Sequence, residues 1–288
     1  MTDRRLLRST GRVAHVSLRG LVEADHFTEG QPARVGMVVA DLLDAPGGAR
    51  DRQLLPGEAF TVLETREGHA FGFVAKDGYV GWVEAAALAT APGPVTHRIK
   101  VARSYAKTTP GLKAMGGVAP LPLGAGVSVL DEHDGWARVV WGRGAIPADR
   151  FVPAAHLMPA DAAEPDPVAV AERLIGTPYL WGGNSAFGID CSGLVQIACL
   201  ACGIACPGDS DMQQAALGAP LAGDAPLRRG DLLFWKGHVG WMADAETLLH
   251  ANAHHMAVVR EPLGPALARI AAQGDGPVTA RKRLEAGP

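Results

Sequence analysis

Cys191 is the residue of this chain whose type and surroundings best fit nucleophilic chemistry. It follows Asp190, precedes Ser192, and stands just before an apolar run, residues 195 to 202, that predicts a helix. A thiol at the start of a helix faces the positive end of the helix dipole and unpaired backbone N–H groups, both of which stabilise the thiolate. Because the thiolate is the reactive form of cysteine, we expect Cys191 to be a catalytic nucleophile.

A nucleophile of this kind needs a base, and His238 lies in a segment, residues 236 to 241, whose glycines and apolar residues predict the start of a strand. His250 follows on what we expect to be the next strand. If the strands are antiparallel neighbours, the two imidazoles lie close together and His250 can orient His238. Asn252 is a second candidate for the orienting role. The sequence therefore predicts a catalytic triad of Cys191, His238 and His250.

Glycines and aromatic residues surround the expected nucleophile. Gly193 and the pair 182–183 carry no side chain, which leaves room for a substrate and lets backbone N–H groups face a developing oxyanion. Tyr179 and Trp181 precede these glycines and fit either the core or the wall of a substrate cleft. We expect a cleft that brings these residues together with Cys191.

The other cysteines and two histidines allow a competing metal interpretation. Cys199, Cys202 and Cys206 form a Cys-x2-Cys-x3-Cys pattern, which could indicate a metal or iron–sulfur site. Two of these thiols fall inside the apolar helix, however, and a fourth thiol ligand would have to be the nucleophile. His254 and His255 fit a solvated loop better than a metal site. We expect no metal and no cofactor.

The N-terminal half contains an internal repeat. Residues 55–64 and the glycine at 68 match residues 122–131 and the glycine at 135, and both copies alternate apolar and polar positions as half-buried strands do. Glu67-Gly68, Asp77-Gly78 and Asp134-Gly135 supply the positive-φ positions that tight hairpins require. The repeat predicts two small all-β barrels.

Helix-breaking linkers divide the chain into three expected domains. The segments near 90–97 and 159–167 are rich in proline and alanine. After the second segment the sequence pattern changes from one that predicts strands to one that predicts both helices and strands. Helices are expected near 167–175 and 191–202, and strands near 231–235, 238–243 and 256–260. The expected fold class is multidomain: an N-terminal arm and first barrel at 1–92, a second barrel at 96–159, and an α+β catalytic domain at 163–288.

Composition and charge exclude several classes of protein. The chain is 48% hydrophobic and 20% charged, and its 27 basic and 30 acidic residues leave a net charge of −3 without long runs of one sign. Such a balance does not favour nucleic acid as a partner. No apolar run is long enough for a membrane span, and the first 20 residues lack the apolar stretch of a secretory signal. We therefore expect a folded protein, not bound to a membrane, in the cytoplasm.

The motifs Asp190-Cys-Ser-Gly193, His238-Val-Gly240 and Leu249-His-Ala251 together resemble the NlpC-type bacterial cell-wall cysteine peptidases. The resemblance covers roughly residues 165–285, and the barrels ahead of it resemble bacterial SH3-like domains. It implies a papain-like catalytic fold. It also implies hydrolysis of the bond between γ-D-glutamate and L-lysine or diaminopimelate in small peptidoglycan-derived peptides with a free N-terminal L-alanine. Recycling of imported murein peptides is the expected role.

The resemblance also implies roles for individual residues in substrate binding. Asp190 and Ser192 would hold the ammonium group of the L-alanine, and Tyr79 of the first barrel would close the same subsite, although an ordinary barrel aromatic fits Tyr79 equally well. Asp51 or Glu58 could assist as a nearby acid. This chain has Gly208 where relatives commonly have an arginine after the preceding proline, so the role of that arginine does not carry over.

Rival functions share the same motifs. Acyl transfer could use the same cysteine and histidines without hydrolysis, and the barrels could form a wall- or peptide-binding module that carries an inactive catalytic domain. The intact set of Cys191, His238 and His250 favours an active peptidase over the binding module.

Overall fold

The structure is a computed structural model that describes residues 3–90, 93–141, 149–274 and 276–284. The described residues divide into two compact units, 1–161 and 162–288. No helix among the described residues is both long and apolar enough to cross a lipid bilayer.

The first unit opens with a short parallel pairing of β1 (Val13–His15) with β2 (His26–Thr28). A sheet follows, with the strand order β5-β4-β8-β7-β6-β3-β9. Its strands are β3 (Gln31–Val35), β4 (Ala40–Leu43), β5 (Arg50–Leu54), β6 (Ala59–Arg66), β7 (His69–Val74), β8 (Val80–Glu84) and β9 (Leu88–Thr90). They enclose a hydrophobic cluster that includes Leu42, Phe60 and Val83.

A further sheet in the same unit repeats this arrangement, with the order β12-β11-β15-β14-β13-β10-β16. Its strands are β10 (His97–Ile99), β11 (Arg103–Lys107), β12 (Val118–Pro122), β13 (Gly126–His133), β14 (Trp136–Val140), β15 (Asp149–Pro153) and β16 (Leu157–Pro159). Each strand of this sheet occupies the position of the strand whose number is seven lower in the first sheet, so that β12 corresponds to β5 and β16 to β9. Short 3-10 helices at Ala85–Ala87 and Ala154–His156 precede the last strand of each copy, so the internal repeat of the sequence is also a repeat of topology.

The tight turns predicted by the sequence differ in their backbone conformation. Glu67-Gly68 and Asp134-Gly135 both have positive φ at both residues, and they connect β6 to β7 and β13 to β14 as two-residue turns. This is the conformation that matches the twist of a β-hairpin. Asp77-Gly78 has positive φ only at Gly78 and belongs to a longer loop, in which the Asp77 side chain accepts a hydrogen bond from the backbone N–H of Tyr79.

The second unit combines helices with an antiparallel sheet of order β19-β24-β20-β21-β22-β23. The elements in chain order are α1 (Pro167–Glu172), β17 (Asn184–Ser185), β18 (Gly188–Ile189), α2 (Cys191–Ala201), α3 (Ser210–Ala216), β19 (Ala219–Pro220), β20 (Asp231–Trp235), β21 (His238–Met242), β22 (Thr247–Asn252), β23 (Ala257–Pro262), α4 (Leu263–Gln273) and β24 (Ala280–Arg283). Helix α2 packs against β21 and β22, and α4 packs against β22 and β23.

The helices and strands that the sequence predicts in this unit are present, with differences at some of their ends. Strand β20 begins and ends as predicted, and α2 is one residue shorter than expected. Strand β23 starts at Ala257 and not at 256, because Met256 has a φ of 50° and lies in the preceding turn. Helix α1 ends at Glu172, earlier than the predicted 175, and its first turn is capped by the Asp166 carboxylate, which accepts from the N–H of Val168.

Candidate active site

Asp190 caps the helix that carries Cys191. Its Oδ1 accepts hydrogen bonds from the N–H of Gly193 at 2.6 Å and from the hydroxyl of Ser192 at 3.0 Å, and its Oδ2 accepts from the N–H of Gly182 at 3.0 Å. A carboxylate at this position satisfies an otherwise unpaired amide and stabilises the positive end of the helix dipole. The cap fixes Cys191 as the first residue of α2.

Glycines near Cys191 allow close packing around the start of α2. The N–H groups of Gly193 and Gly182 both donate to Asp190. A Cβ added at Gly193 would lie 2.5 Å from the carbonyl oxygen of Gly183, so this glycine permits close contact between α2 and the preceding loop. That other backbone N–H groups near Cys191 face a developing oxyanion stays a prediction.

The Cys191 thiol is 6% exposed, and its Sγ lies 4.0 Å from the carbonyl oxygen of Gly237, the residue before His238. Burial, followed by the nearby negative charge of Asp190, raises the pKa of the Cys191 thiol to about 12, although the backbone N–H groups of Val239 and Ser192 act in the opposite direction. The helix N-terminus alone does not make a thiolate here. Burial and Asp190 thus favour a neutral Cys191 thiol, whereas the sequence led us to expect that the helix start favours the thiolate.

The two histidines meet across neighbouring strands. Strands β21 and β22 pair Trp241 with Leu249, so Gly240 stands opposite His250. His238 precedes Gly240 by two residues and therefore lies on the same face of the sheet. A Cβ at Gly240 would lie 3.1 Å from the Cβ of His250, so the glycine leaves room for the imidazoles to meet. His238 Nε2 lies 2.8 Å from His250 Nδ1. The structure thus brings together the predicted base and its predicted orienting residue.

Burial governs the charge of both histidines. Desolvation, together with the neighbouring His250 and Arg269, lowers the pKa of His238 to about 3. His250 is 0% exposed, and burial also lowers its pKa. Both rings are therefore neutral at physiological pH, as a histidine that accepts a proton from a thiol must be.

His250 has further polar neighbours on its other ring nitrogen. Its Nε2 lies 2.7 Å from Glu261 Oε1 and 3.1 Å from Asn252 Nδ2. Asn252, the second candidate for orienting His238, thus contacts His250, while His250 contacts the base. The Asn252 side chain also accepts from the N–H of His255 at 2.8 Å.

Glu261 is a residue of the site that sequence reasoning missed. It lies on β23, where His250 pairs with Val259, so Glu261 is two residues along the face that carries His250. Its carboxylate also pairs with Arg269 of α4, at 2.5 Å between Oε1 and a guanidinium nitrogen. Hydrogen bonds from His250 and Arg269 lower the pKa of Glu261 to about 2. The last predicted strand ended at residue 260, and continuing its alternation by one residue was the signal that could have found Glu261.

A cleft of about 350 Å³ opens beside His238. Tyr179 and Trp181 line it, as do His254, Arg269 and Gln273. Trp181 is 71% exposed, so it is a wall residue and not part of the core. The predicted aromatic residues therefore lie beside the predicted base.

Tyr79 belongs to the first unit and lies in its hydrophobic cluster with 3% of its surface exposed. Arg52 lies over its ring at 6.0 Å. These contacts give Tyr79 a packing role in the first sheet. Its expected role in substrate binding stays a prediction.

The acids expected to assist substrate binding are both in ion pairs of the first unit. Asp51 pairs with Arg4 at 2.8 Å, and Glu58 pairs with Lys76 at 2.6 Å. Their expected assisting role is likewise a prediction.

The remaining cysteines and histidines were the basis of the competing metal interpretation. Cys199 and Cys206 are buried, whereas His254 and His255 are exposed. Among the residues that the structure describes, no group of three or more His, Cys, Asp or Glu side chains is arranged to hold a metal ion. Gly208, the position at which the resemblance implies an arginine, contributes its carbonyl oxygen as an acceptor 3.5 Å from Gln213 Nε2.

Family models match both units. Residues 176–268 match the NlpC/P60 family, and residues 42–88 match the bacterial dipeptidyl-peptidase SH3 domain. The first match contains the capped cysteine and both histidines. The chain therefore carries an NlpC/P60 domain together with a bacterial SH3 domain.

Curated relatives match a smaller part of the chain. Dipeptidyl-peptidase 6 of Lysinibacillus sphaericus is 38% identical over 85 residues, which cover 30% of this chain and 31% of the relative. Gamma-D-glutamyl-L-lysine dipeptidyl-peptidase of Bacillus subtilis (strain 168) is 38% identical over 95 residues, also 30% of this chain and 31% of the relative. The match thus spans about a third of the length of either relative.

The fold resembles that of a solved structure over most of its length. An NlpC/P60 family protein from Bacillus cereus ATCC 10987 superposes with a TM-score of 0.74 and covers 88% of this chain and 99% of its own. Its sequence identity is 18%, so this likeness concerns the fold.

Proposed function

We propose that this protein is a cysteine peptidase in which Cys191 is the nucleophile, His238 the base and His250 the residue that orients the base. The observation that carries the proposal is the 2.8 Å contact between His238 Nε2 and His250 Nδ1, beside a buried cysteine at the capped start of α2. With Nε2 engaged by His250, Nδ1 is the nitrogen of His238 that is left for the thiol. This is the division of roles that a catalytic triad requires.

The proposed reaction proceeds through a thioester. The Cys191 sulfur attacks the amide carbonyl carbon while its proton passes to His238, and the C–N bond then breaks as His238 returns that proton to the leaving amine. Water, deprotonated by His238, hydrolyses the thioester and restores the thiol. Because the resting thiol and imidazole are both neutral, proton transfer accompanies attack and no preformed ion pair is needed.

The proposed substrate is a small peptidoglycan-derived peptide, cut between γ-D-glutamate and L-lysine or diaminopimelate. The printed name of the Bacillus subtilis relative supports this bond. A free N-terminal ammonium would be attracted to Asp190, whose carboxylate lies beside the nucleophile, with Ser192 next to it. Tyr179 and Trp181 would line the path of the peptide, and Tyr79 is kept as a predicted contact of the same subsite.

The second sheet is proposed to be another SH3-like domain. Its strand order repeats that of the sheet in which the SH3 match lies, and its core cluster contains Ile99, Leu121 and Val139. The proposed domains are the arm and first barrel at 1–92, the second barrel at 96–159 and the peptidase at 163–288. Recycling of small murein peptides in the cytoplasm stays the expected role.

The test is incubation of the protein with L-Ala-γ-D-Glu-diaminopimelate, with the same peptide N-acetylated, and with its α-linked isomer, followed by mass spectrometry. We expect release of diaminopimelate from the free γ-linked peptide only. Cys191→Ala should abolish release, whereas Cys202→Ala, a change near the other end of α2, should leave it unchanged. Equal cleavage of the α-linked isomer would contradict the bond specificity, and cleavage of the acetylated peptide would contradict the ammonium subsite.

A further inference from the structure

His238, His250 and Glu261 form one row across three neighbouring strands. The row runs from β21 through β22 to β23. His238 lies two residues from Gly240, which stands opposite His250 on β21, and Glu261 lies two residues from Val259, which stands opposite His250 on β23. Diagonal neighbours of this kind lie within reach of long side chains. The contacts along the row are 2.8 Å between the histidines and 2.7 Å between His250 Nε2 and Glu261 Oε1.

The ionised Glu261 carboxylate at the end of the row determines which ring nitrogens of His250 and His238 carry hydrogen. A carboxylate only accepts hydrogen bonds, and hydrogen bonds from His250 and Arg269 keep the pKa of Glu261 near 2. The Nε2 of His250 must therefore carry a hydrogen. Because burial keeps His250 neutral, its Nδ1 has a lone pair, and that lone pair accepts from the Nε2–H of His238. A neutral His238 with Nε2–H has an unprotonated Nδ1, which is the form that can take the thiol proton.

Asn252 supports this arrangement although it also lies near His250 Nε2. Its Oδ1 accepts from the backbone N–H of His255 at 2.8 Å, which directs its Nδ2 toward both His250 Nε2 at 3.1 Å and Glu261 Oε1 at 3.5 Å. If Asn252 donated to His250 Nε2, that nitrogen would carry a lone pair and no hydrogen. It would then lie 2.7 Å from the Glu261 carboxylate, and the lone pair and the carboxylate would repel each other. The hydrogen of Asn252 therefore goes to Glu261.

Arg269 holds the carboxylate in place. Its guanidinium contacts both oxygens of Glu261, at 2.5 Å and 3.4 Å, and another of its nitrogens donates to Gln273 at 2.8 Å. The side chains of Glu261 and Arg269 are 12% and 17% exposed, so solvent screens the pair only weakly. Helix α4 thus supplies the cation that orients the acid at the end of the row.

We infer that Glu261, held by Arg269, is a positioning residue that selects the Nε2–H tautomer of His250 and thereby the form of His238 that accepts the Cys191 proton. The opposite tautomer of His250, with hydrogen on Nδ1, would donate to His238 Nε2 and leave hydrogen on His238 Nδ1. A base protonated on that nitrogen cannot activate the thiol. The kinetic consequence rests on the proposed peptidase function, whereas the tautomer belongs to the resting protein.

The test is nitrogen-15 NMR of histidine side chains in the full chain, which reports the tautomer of each ring without any substrate. We expect hydrogen on Nε2 of both His250 and His238 in the wild type. Glu261→Gln replaces an obligatory acceptor by an amide that can also donate, so we expect a mixture of His250 tautomers. The rate of Cys191 alkylation by iodoacetamide should fall about 10-fold or more, and kcat should fall by 10- to 100-fold with KM unchanged.

Glu172→Gln is the matched control, because Glu172 also bridges two arginines, Arg229 at 2.8 Å and Arg260 at 2.6 Å, outside the row. The control should keep the wild-type tautomers and alkylation rate. Hydrogen on Nδ1 of His250 in the wild type would overturn the inference, as would unchanged tautomers and reactivity in a folded Glu261→Gln. If Glu261→Gln fails to fold, the wild-type spectrum decides alone. The predicted tautomer in a protein that cuts no peptide would sustain the inference while contradicting the proposed function.

Discussion

At the scale of single residues, the Cys191 thiol is controlled more by burial and by Asp190 than by the start of its helix. These two effects raise its pKa to about 12, while burial lowers that of His238 to about 3. Both shifts favour a neutral thiol and a neutral imidazole in the resting protein. Reactivity must come from proton transfer during attack.

This charge state predicts the pH dependence of thiol alkylation. Because the fraction of thiolate rises about tenfold per pH unit below the pKa, the rate of Cys191 alkylation by iodoacetamide should keep rising from about pH 6 to about pH 10. A thiolate–imidazolium pair would instead give a plateau between the two pKa values. Peptide mapping identifies the labelled residue, and Cys191→Ala is the control that shows how much label the other cysteines take up. A plateau across neutral pH would contradict the assigned charges.

The order of contacts on His238 predicts unequal effects of its two neighbours. His250 contacts the base directly, whereas the contacts of Asn252 are with His250, Glu261 and His255. His250→Ala should lower kcat by about 10²-fold or more, and Asn252→Ala by less, with the fold of both checked by circular dichroism. Steady-state kinetics on the γ-linked peptide give the comparison. A larger loss in Asn252→Ala would show that asparagine is the orienting residue.

At the scale of elements, the site depends on β21, β22 and β23 being in register and on Gly240 between the histidines. A methyl group at Gly240 would lie 2.9 Å from a Leu248 methyl and 3.1 Å from the His250 Cβ. Contacts this short force side chains or strands to move. The spacing of the strands is thus part of the geometry of the proposed active site.

Gly240→Ala should lower both stability and activity. We expect a loss of about 1–3 kcal/mol in the free energy of unfolding and a larger fractional loss in kcat, because His250 is displaced. Gly264→Ala in α4 is the control, since a Cβ there meets no atom within 4 Å, and it should be neutral or stabilising. Denaturant unfolding and peptide kinetics measure both effects. A fully active Gly240→Ala would contradict the role given to this glycine.

The same elements explain what sequence could predict. His238 and His250 were found because residue alternation and a short turn are local features of one hairpin. Glu261 was missed because its place depends on the pairing of β22 with β23 after a turn in which Met256 has positive φ. The effect of burial on the Cys191 thiol could not be predicted, because burial depends on the whole fold and no motif reveals it.

At the scale of the whole molecule, the described residues form a compact unit at 162–288 that contains the helix of Cys191 and the strands of both histidines. Its hydrophobic cluster draws on β20, β21, β22 and α4, with Leu233, Met242 and Ile270 among its buried members. The internal repeat, in contrast, lies wholly in the first unit. The residues of the proposed active site named here and the internal repeat thus lie in separate parts of the chain.

A fragment of residues 162–288 should therefore fold on its own. A domain with its own core and sheet can fold independently, so we expect a cooperative thermal transition and Cys191 alkylation within about threefold of the full-length rate. Circular dichroism and labelling kinetics measure these. A fragment without a cooperative transition would show that the first unit is needed for the fold of the second.

The central claim is hydrolysis through Cys191, and the most direct measurement is cleavage of L-Ala-γ-D-Glu-diaminopimelate in oxygen-18 water. We predict free, unlabelled diaminopimelate and one oxygen-18 atom in the γ-carboxylate of L-Ala-D-Glu, with the wild type and Cys202→Ala but not with Cys191→Ala. Cleavage by Cys191→Ala, or absence of product from the wild type, would contradict the claim. Transfer of the γ-glutamyl group to an added amine without oxygen-18 would make the protein an acyltransferase instead.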